Sequence, residues 1–291
     1  MVARIASYKT EDFTIPSSDG RSDLFIKRFY RDMPKVHFLI VHGAIEHSGR
    51  HTDLVSFLLR NYHDVSVTIF DNIGHGRSGG TRAYVESFSH YVEDFLKVAE
   101  FARSKNTSST RTIILAHSLG GLITLTRILD PQLGLPFPID GLIFSSPCIR
   151  PQTMMAAISL PLLRRLDRIT PKFHLPMIYS GKDLTRDPER ANDFDTDTLI
   201  PKYISVRMAK EVIAASDRII GLSYYLRIPS LFLVAGTDKI VDPASTLLFA
   251  HGIDKELTEI IQYPEHYHEL WNEIDRESIF QTMKRWLENR L

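Results

Sequence analysis

Cysteine is almost missing from this chain of 291 residues, where Cys148 stands alone. An intrachain disulfide is therefore impossible, and the thiolate-rich sets that hold structural zinc are excluded. A small buried apolar residue is the reading that remains for Cys148. Net charge is missing too, because 35 Lys and Arg balance 35 Asp and Glu, and no basic stripe is visible. A nucleic-acid binder needs a basic excess to neutralise phosphates, so no nucleic-acid partner is expected. No uninterrupted apolar run reaches the about 18 residues of a membrane span. The opening MVARIASYKTEDF also lacks the apolar centre of a secretory signal. These absences predict a soluble, cytoplasmic protein, with peripheral membrane contact left open.

What is present is the profile of a globular protein with a large core, 43% hydrophobic, with Gly and Pro scattered evenly. Residues 12–30 read as two extended segments around the turn-rich SSDGRSD, which suits an antiparallel hairpin. Short apolar runs then alternate with helical stretches. Runs at 36–41, 65–70, 112–115 and 141–144 are separated by amphipathic HTDLVSFLLRNY and by helical patterns at 91–103 and 119–129. Such alternation predicts an α/β fold, a mostly parallel central sheet with helices on both faces. The rhythm breaks over 148–227, which holds MMAAISLPLLRRLDR, a polar middle punctuated by proline, and a helical KYISVRMAKEVIAAS. It resumes at 230–235, with a helix from about 244, a run at 259–262 and a last helix over 278–291. The expected organisation is a core of 1–147 and 228–291 carrying a helical lid at 148–227.

The most informative stretch is TIILAHSLGG, residues 112–121, which sets a serine between a buried strand and a helix with small residues around it. It resembles the nucleophile elbow G-x-S-x-G of the α/β-hydrolases. That turn brings strand and helix so close that side chains two residues before and after the serine must be small. Ala116 and Gly120 occupy those places, alanine departing from the usual glycine, and Gly121 allows close packing on the sheet. Ser118 is the candidate nucleophile. Its base and orienting carboxylate follow later in the chain of this fold, in the order Ser, Asp, His. In SLFLVAGTDKIVDP, Asp242 precedes Pro243 and a helical run, which reads as a helix N-cap, so Asp238 is left for the acid. Past the last apolar run, EHYHELWNE supplies His266 and His268 as bases.

Taken together, HGAIEHSGRH (42–51), DNIGHGRSGG (71–80), AHSLGG, GTDKIVD and YHELWNE resemble the monoacylglycerol lipase and lysophospholipase family of serine hydrolases over nearly the whole chain. The resemblance implies an α/β-hydrolase fold with a lid and a serine esterase or lipase acting through an acyl-enzyme, without a cofactor. It makes His268 the base, because Tyr267, His268, Leu270 and Glu273 match Y-H-x-L-x-x-E. It makes the backbone N–H groups of Ala44 and Leu119 the oxyanion donors, with His42 and Gly43 shaping the turn and Glu46 and His47 bracing the loop. Ile45 departs from the glycine usual in these lipases. The histidines 42, 47, 51 and 75 lack metal-ligand spacing, and the glycines of GHGRSGG lack the Lys-Ser/Thr ending of a phosphate loop.

The expected substrate is a lipid ester with one acyl chain, a monoacylglycerol or lysophospholipid. The uncharged MMAAISLPLL followed by RRLDR reads either as a core helix of the lid or as an interfacial segment, with Ile158 and Leu162 as lid residues that meet substrate. Three other readings stay open: a small-ester carboxylesterase, an aminopeptidase using Asp193, Asp195 and Asp197 for the substrate amine, and a non-catalytic binding protein of the same fold.

Overall fold

A computed structural model of the chain describes residues 8–152 and 160–290. Its centre is an eight-stranded sheet in the order β1-β2-β4-β3-β5-β6-β9-β10. The hairpin of β1 (Lys9–Pro16) and β2 (Asp23–Tyr30) pairs antiparallel, and β2 runs antiparallel to β4 (Val65–Phe70). From β4 onward every neighbour is parallel, through β3 (Val36–Val41), β5 (Arg111–His117), β6 (Gly141–Ser145), β9 (Ser230–Ala235) and β10 (Thr258–Tyr263). Every residue of β3, β4, β6 and β9 is buried, because helices cover both faces, and this is why those strands appear in the sequence as predominantly apolar runs.

On one face, the helices Thr52–Asn61 and Arg276–Glu288 pack together, with Phe57 stacked on Phe280 at 4.9 Å between centroids. Their buried residues recur three and four apart, as Leu54, Phe57 and Leu58 do in the first and Ile279, Phe280 and Met283 in the second. The other face carries the helices Phe88–Ser104, Leu119–Leu129 and Pro243–His251. The chain passes from β3 outward to β4 and then crosses back to β5 on the other side of β3. That reversal opens a crevice at the carboxyl ends of β3 and β5, the place where open α/β sheets bind ligands.

Between β6 and β9 lies an insertion built from the helices Leu160–Ile169, Gly181–Leu184, Pro188–Thr196 and Val206–Ile219. It also contains a short antiparallel ribbon of β7 (His174–Pro176) and β8 (Tyr203–Ser205), where the sequence suggested no strand and a helix already under way. The helix starts later because the Ser205 hydroxyl accepts from the Met208 N–H and caps it, leaving Tyr203 and Ile204 in the ribbon. Val206, Ala209, Val212 and Ile213 then enter the same core as the sheet. No helix among the described residues is long and apolar enough to cross a membrane.

Candidate active site

Ser118 sits between the end of β5 and the first turn of helix Leu119–Leu129, with φ 49° and ψ −117°. A non-glycine residue holds such a conformation only where its surroundings over-determine it. Here the Ser118 N–H donates to Ser145 O (3.1 Å), while the Ser118 carbonyl accepts from the N–H groups of Cys148 (2.9 Å) and Gly121 (3.0 Å). The demand for small neighbours is literal, since a Cβ on Gly120 would lie 2.2 Å from the Val41 carbonyl oxygen. Ala116 is fully buried and accommodated without a glycine.

The turn aims the Ser118 hydroxyl at His268, whose Nε2 lies 2.9 Å from Oγ, and His268 Nδ1 lies 2.7 Å from Asp238 Oδ2. All three side chains are buried. Asp238 stands in the loop just past β9 and is fixed through Oδ1, which accepts from the N–H groups of Ile240 (2.8 Å) and Val241 (3.1 Å). With Nδ1 donating to the carboxylate, Nε2 is left with a lone pair toward the serine hydroxyl, the tautomer a general base needs. Burial disfavours the imidazolium of His268, but the Asp238 carboxylate, joined by Glu269 and Glu46, outweighs it and holds the group above the ordinary histidine value. His117 beside it, at 4.8 Å between rings, is pushed down to about 4 by burial and stays neutral.

The other carboxylate and histidine of these two motifs lie elsewhere. Asp242 accepts from Ala244 N (3.3 Å) and Ser245 N (3.0 Å) as the cap of helix Pro243–His251. His266 Nε2 is 2.9 Å from Asp275 rather than near Ser118.

The loop after β3 faces this group from the neighbouring strand. Leu119, as the first residue of its helix, has no carbonyl one turn earlier to receive its N–H. The Ala44 N–H likewise has no acceptor among the described residues, and both residues line the same cleft as Ser118. The loop is braced from within. His42 donates from Nδ1 to the Gly43 carbonyl (2.7 Å) and accepts at Nε2 from the Asn72 N–H (2.8 Å), burial keeping it below the ordinary histidine value. Glu46 accepts from the Gly43 N–H and lies 3.1 Å from His51 Nε2. Burial opposes the Glu46 charge, but its pairing with His51 holds its carboxyl well below the usual carboxylate range. His47 pairs with Asp197 at 2.8 Å. Ile45, where the related lipases carry glycine, has φ 56° and a buried side chain. A β-branched residue in the left-handed region costs on the order of 1–3 kcal/mol, held here by the packing around it.

The cleft above Ser118 is narrow, with a cavity volume of about 40 Å³. Its walls are Cys148, Leu184, Phe194 and Val212 of the segment between β6 and β9 with Val241 past β9, and its polar lining includes Tyr179, Glu46 and Glu269. Of the two lid residues expected to meet substrate, Ile158 lies outside the described residues. Leu162 is 49% exposed and does not line the cleft. Leu163, its neighbour on helix Leu160–Ile169, is the one that turns inward. None of Asp193, Asp195 and Asp197 lines the cleft either. Asp193 pairs with Arg190 (3.2 Å) and Asp195 accepts from the Gly181 N–H (2.9 Å). Tyr179, Leu184, Phe194 and Glu269 carried no local pattern that marked them, although Glu269 stands next to His268. Among the described residues no group of His, Cys, Asp and Glu is placed to hold a metal ion.

A protein-family model described as "Serine aminopeptidase, S33" matches residues 32–275. The chain belongs to this family of serine α/β-hydrolases, which includes monoacylglycerol lipases and phospholipases. Phospholipase YtpA of Bacillus subtilis is 26% identical, over 87% of this chain and 95% of its own. The crystal structure of the monoacylglycerol lipase of Paleococcus ferrophilus is 26% identical, with a TM-score of 0.78 over 92% of this chain and 99% of that one. Other members are longer. The chain spans 44% of the uncharacterized protein YnbC of Escherichia coli, to which it is 27% identical over 89% of its own length. It spans 26% of an uncharacterized abhydrolase domain-containing protein of Dictyostelium discoideum.

Proposed function

We propose that the protein is a serine esterase that hydrolyses a lipid ester with a single acyl chain, with Ser118, His268 and Asp238 as its catalytic triad. The observation that carries this reading is the unbroken chain of contacts from Ser118 Oγ to His268 Nε2 (2.9 Å) and from Nδ1 to Asp238 (2.7 Å), set at the foot of an apolar cleft. His268 takes the hydroxyl proton as Ser118 Oγ attacks the ester carbonyl. The N–H groups of Ala44 and Leu119 receive the negative oxygen of the tetrahedral intermediate. His268 returns the proton to the departing alcohol, and water repeats the cycle on the acyl-enzyme to release the fatty acid. Leu184, Phe194 and Val212 give the cleft the apolar lining that an acyl chain calls for.

The family description names an aminopeptidase, whose substrate amine needs a free carboxylate. Here Asp193, Asp195 and Asp197 stand away from the cleft and Glu269 is engaged by Arg50, which favours the ester. The outer surface of the insertion supports delivery of that ester from a membrane. Leu162, Ile169, Phe173 and Ile178 are exposed there, beside the exposed Arg164, Arg165, Arg168 and Lys172.

A fluorophosphonate probe tests the nucleophile, since only an activated serine reacts with it. The wild-type protein should be labelled and Ser118→Ala should not, while both melt at similar temperatures. A panel of acylglycerols, short esters and aminoacyl amides should give turnover on the first two classes and none on the amides. Labelling of Ser118→Ala equal to wild type would refute the assignment, and turnover of amides alone would refute the substrate class.

A further inference from the structure

A second hollow lies away from Ser118, on a part of the sheet that helix Thr52–Asn61 covers incompletely. That helix packs with β3 and β4. Beyond it, β2 presents Phe25, Lys27 and Phe29, which stand two apart and so share one side of the strand. The register continues this side across the neighbouring strands, because Lys27 pairs with Asp12 and Ile69 while Phe29 pairs with Thr10 and Val67. Between these strands and Val55, Ser56 and Leu59 of the helix runs a groove with a cavity volume of about 410 Å³. That is well above the about 40 Å³ of the catalytic cleft, and it lies in the range of about 300–1,000 Å³ that holds small ligands.

The two ends of the groove differ. At one stand Phe25, Ser48 and Thr52, with the Arg77 guanidinium 3.7 Å from the centre of the Phe25 ring. Asp71 ties this end together, since its N–H donates to the Phe25 carbonyl (2.9 Å) and its carboxylate accepts from the N–H groups of Ser48 (2.7 Å) and Arg77 (2.7 Å). At the other end stand Phe29, Leu59 and Tyr8, whose hydroxyl donates to the Tyr62 carbonyl (2.7 Å) just past the helix. Lys27, midway along, and Arg77 are the cations of the lining, and no carboxylate lines the groove among the described residues. Both cations lean on one acid outside it, Asp12, at 3.7 Å from Lys27 and 3.2 Å from Arg77. Two cations against one carboxylate leave a positive charge in excess at the Phe25 end, above an apolar floor.

From this polarity we infer that the groove is a second lipid site, separate from the cleft, which holds a long-chain fatty acid with its carboxylate at Arg77 and Lys27 and its tail toward Leu59 and Tyr8. Phe25 and Phe29 are four strand positions apart, roughly 14 Å, a length that an extended chain of about a dozen carbons spans. A guanidinium receives a carboxylate through parallel N–H bonds, and Ile69, Val55 and Phe29 take the chain. A neutral lipid would leave the excess charge unanswered, and a small anion without a chain would leave the apolar floor in water. His47 and Leu199 close the Phe25 end, so an occupied groove adjoins the pair of His47 and Asp197 (2.8 Å) that joins the Ala44 loop to the insertion.

The experiment uses dodecanoic acid with a photoreactive diazirine at its tail, and dodecanol with the same group, the points of attachment being mapped by mass spectrometry of peptides. The acid should label peptides that carry Phe29, Val55 and Leu59. The alcohol should label them at least about tenfold less at equal concentration, because the charge-assisted hydrogen bonds are lost. Lys27→Gln combined with Arg77→Gln should lower groove labelling by the acid at least about tenfold, and labelling of the cleft peptides with Leu184 and Phe194 should hold. Ser56→Trp, which fills the groove from a half-buried position on the helix, should abolish groove labelling, with the melting temperature as a check that each variant folds. Attachment is read whether or not the protein cleaves esters, so failure of the esterase reading leaves the test standing. Label confined to the cleft peptides, equal groove labelling by acid and alcohol, or groove labelling that survives the double variant overturns the inference. A groove that takes up no label, as when a protein segment fills it, overturns it as well.

Discussion

Replacing Asp238 by Asn tests the proposed triad at its most constrained point. The two side chains differ by one heavy atom, an NH₂ in place of an oxygen, so packing is nearly unchanged, but the hydrogen-bond pattern decides how the amide must sit. Oδ1 of Asp238 accepts from two backbone N–H groups, Ile240 at 2.8 Å and Val241 at 3.1 Å. An asparagine that turned its NH₂ toward them would face donor with donor and leave two buried N–H groups unpaired, at about 1–3 kcal/mol each. The amide oxygen therefore stays at Oδ1, and the NH₂ takes the place of Oδ2, 2.7 Å from His268 Nδ1. Nδ1 must then accept, the imidazole proton moves to Nε2, and Nε2 can no longer take the proton of Ser118. The same change in a serine protease lowers kcat by about 10⁴, and at 1.36 kcal/mol per tenfold that amounts to about 5.4 kcal/mol of lost transition-state stabilisation.

The assay is pre-steady-state and steady-state hydrolysis of a short soluble ester across pH 5 to 10, with the melting temperature as a check on folding. A second signature concerns the acid limb. In the wild-type protein kcat/KM should fall as pH drops below the raised pKa of His268, because the imidazolium cannot accept the serine proton. With the Asp238 charge gone, that limb should move to lower pH. Asp242→Asn is the matched control. It should cost little, since asparagine caps a helix almost as well as aspartate. An Asp238→Asn enzyme that keeps more than a tenth of wild-type kcat, or whose acid limb stays in place, would refute the reasoning.

His268→Ala should depress kcat about as far as Ser118→Ala does, because triad members act as a unit. His266→Ala should change it only through the loss of its contact with Asp275, so single-turnover rates of the two variants decide between the histidines. On the insertion, joint replacement of Ile169 and Phe173 by Asp removes two exposed apolar side chains from the proposed membrane-facing surface. Each such side chain is worth about 1.5–3 kcal/mol when fully buried, so the rate on vesicle-borne acylglycerol should fall at least about tenfold. The rate on a short soluble ester should hold, and equal losses on both substrates would rule out a membrane contact at this surface.

How far the sequence reached depends on how local each feature is. The strands β3, β4 and β9 could be read because each is buried on both faces and therefore mostly apolar along its length. Ser118, Asp238 and His268 could be picked out as candidates because each falls within a few residues of the carboxyl end of a strand, so the sheet brings their loops to one edge. The ribbon of β7 and β8 could not be read, since three residues per strand carry no period. Leu162 and Leu163 stand side by side in an uncharged run, and nothing in that run says which one faces the core. Only the fold shows that Arg164, Arg165 and Arg168 share the solvent side and leave Leu163 inward. The pairing of Arg50 with Glu269 joins residues 219 positions apart, beyond the reach of any local pattern. Ile45 could be recognised as a departure from the related lipases, but the left-handed backbone it adopts belongs to the loop and not to the residue.

Adjacency of β3 and β5 has a consequence for how such a protein can change. Val41 pairs with Ala116 in the sheet, so the loop bearing Ala44 and the turn bearing Ser118 spring from neighbouring rungs of one ladder. Their separation is governed by the interstrand spacing of about 4.8 Å, not by the length of any connection. The exposed face of the segment between β6 and β9 can therefore exchange side chains without moving the two strands that carry the reacting atoms. The spacing between the nucleophile turn and the Ala44 loop is thus a property of the sheet, and changes confined to the solvent side of the insertion leave it alone.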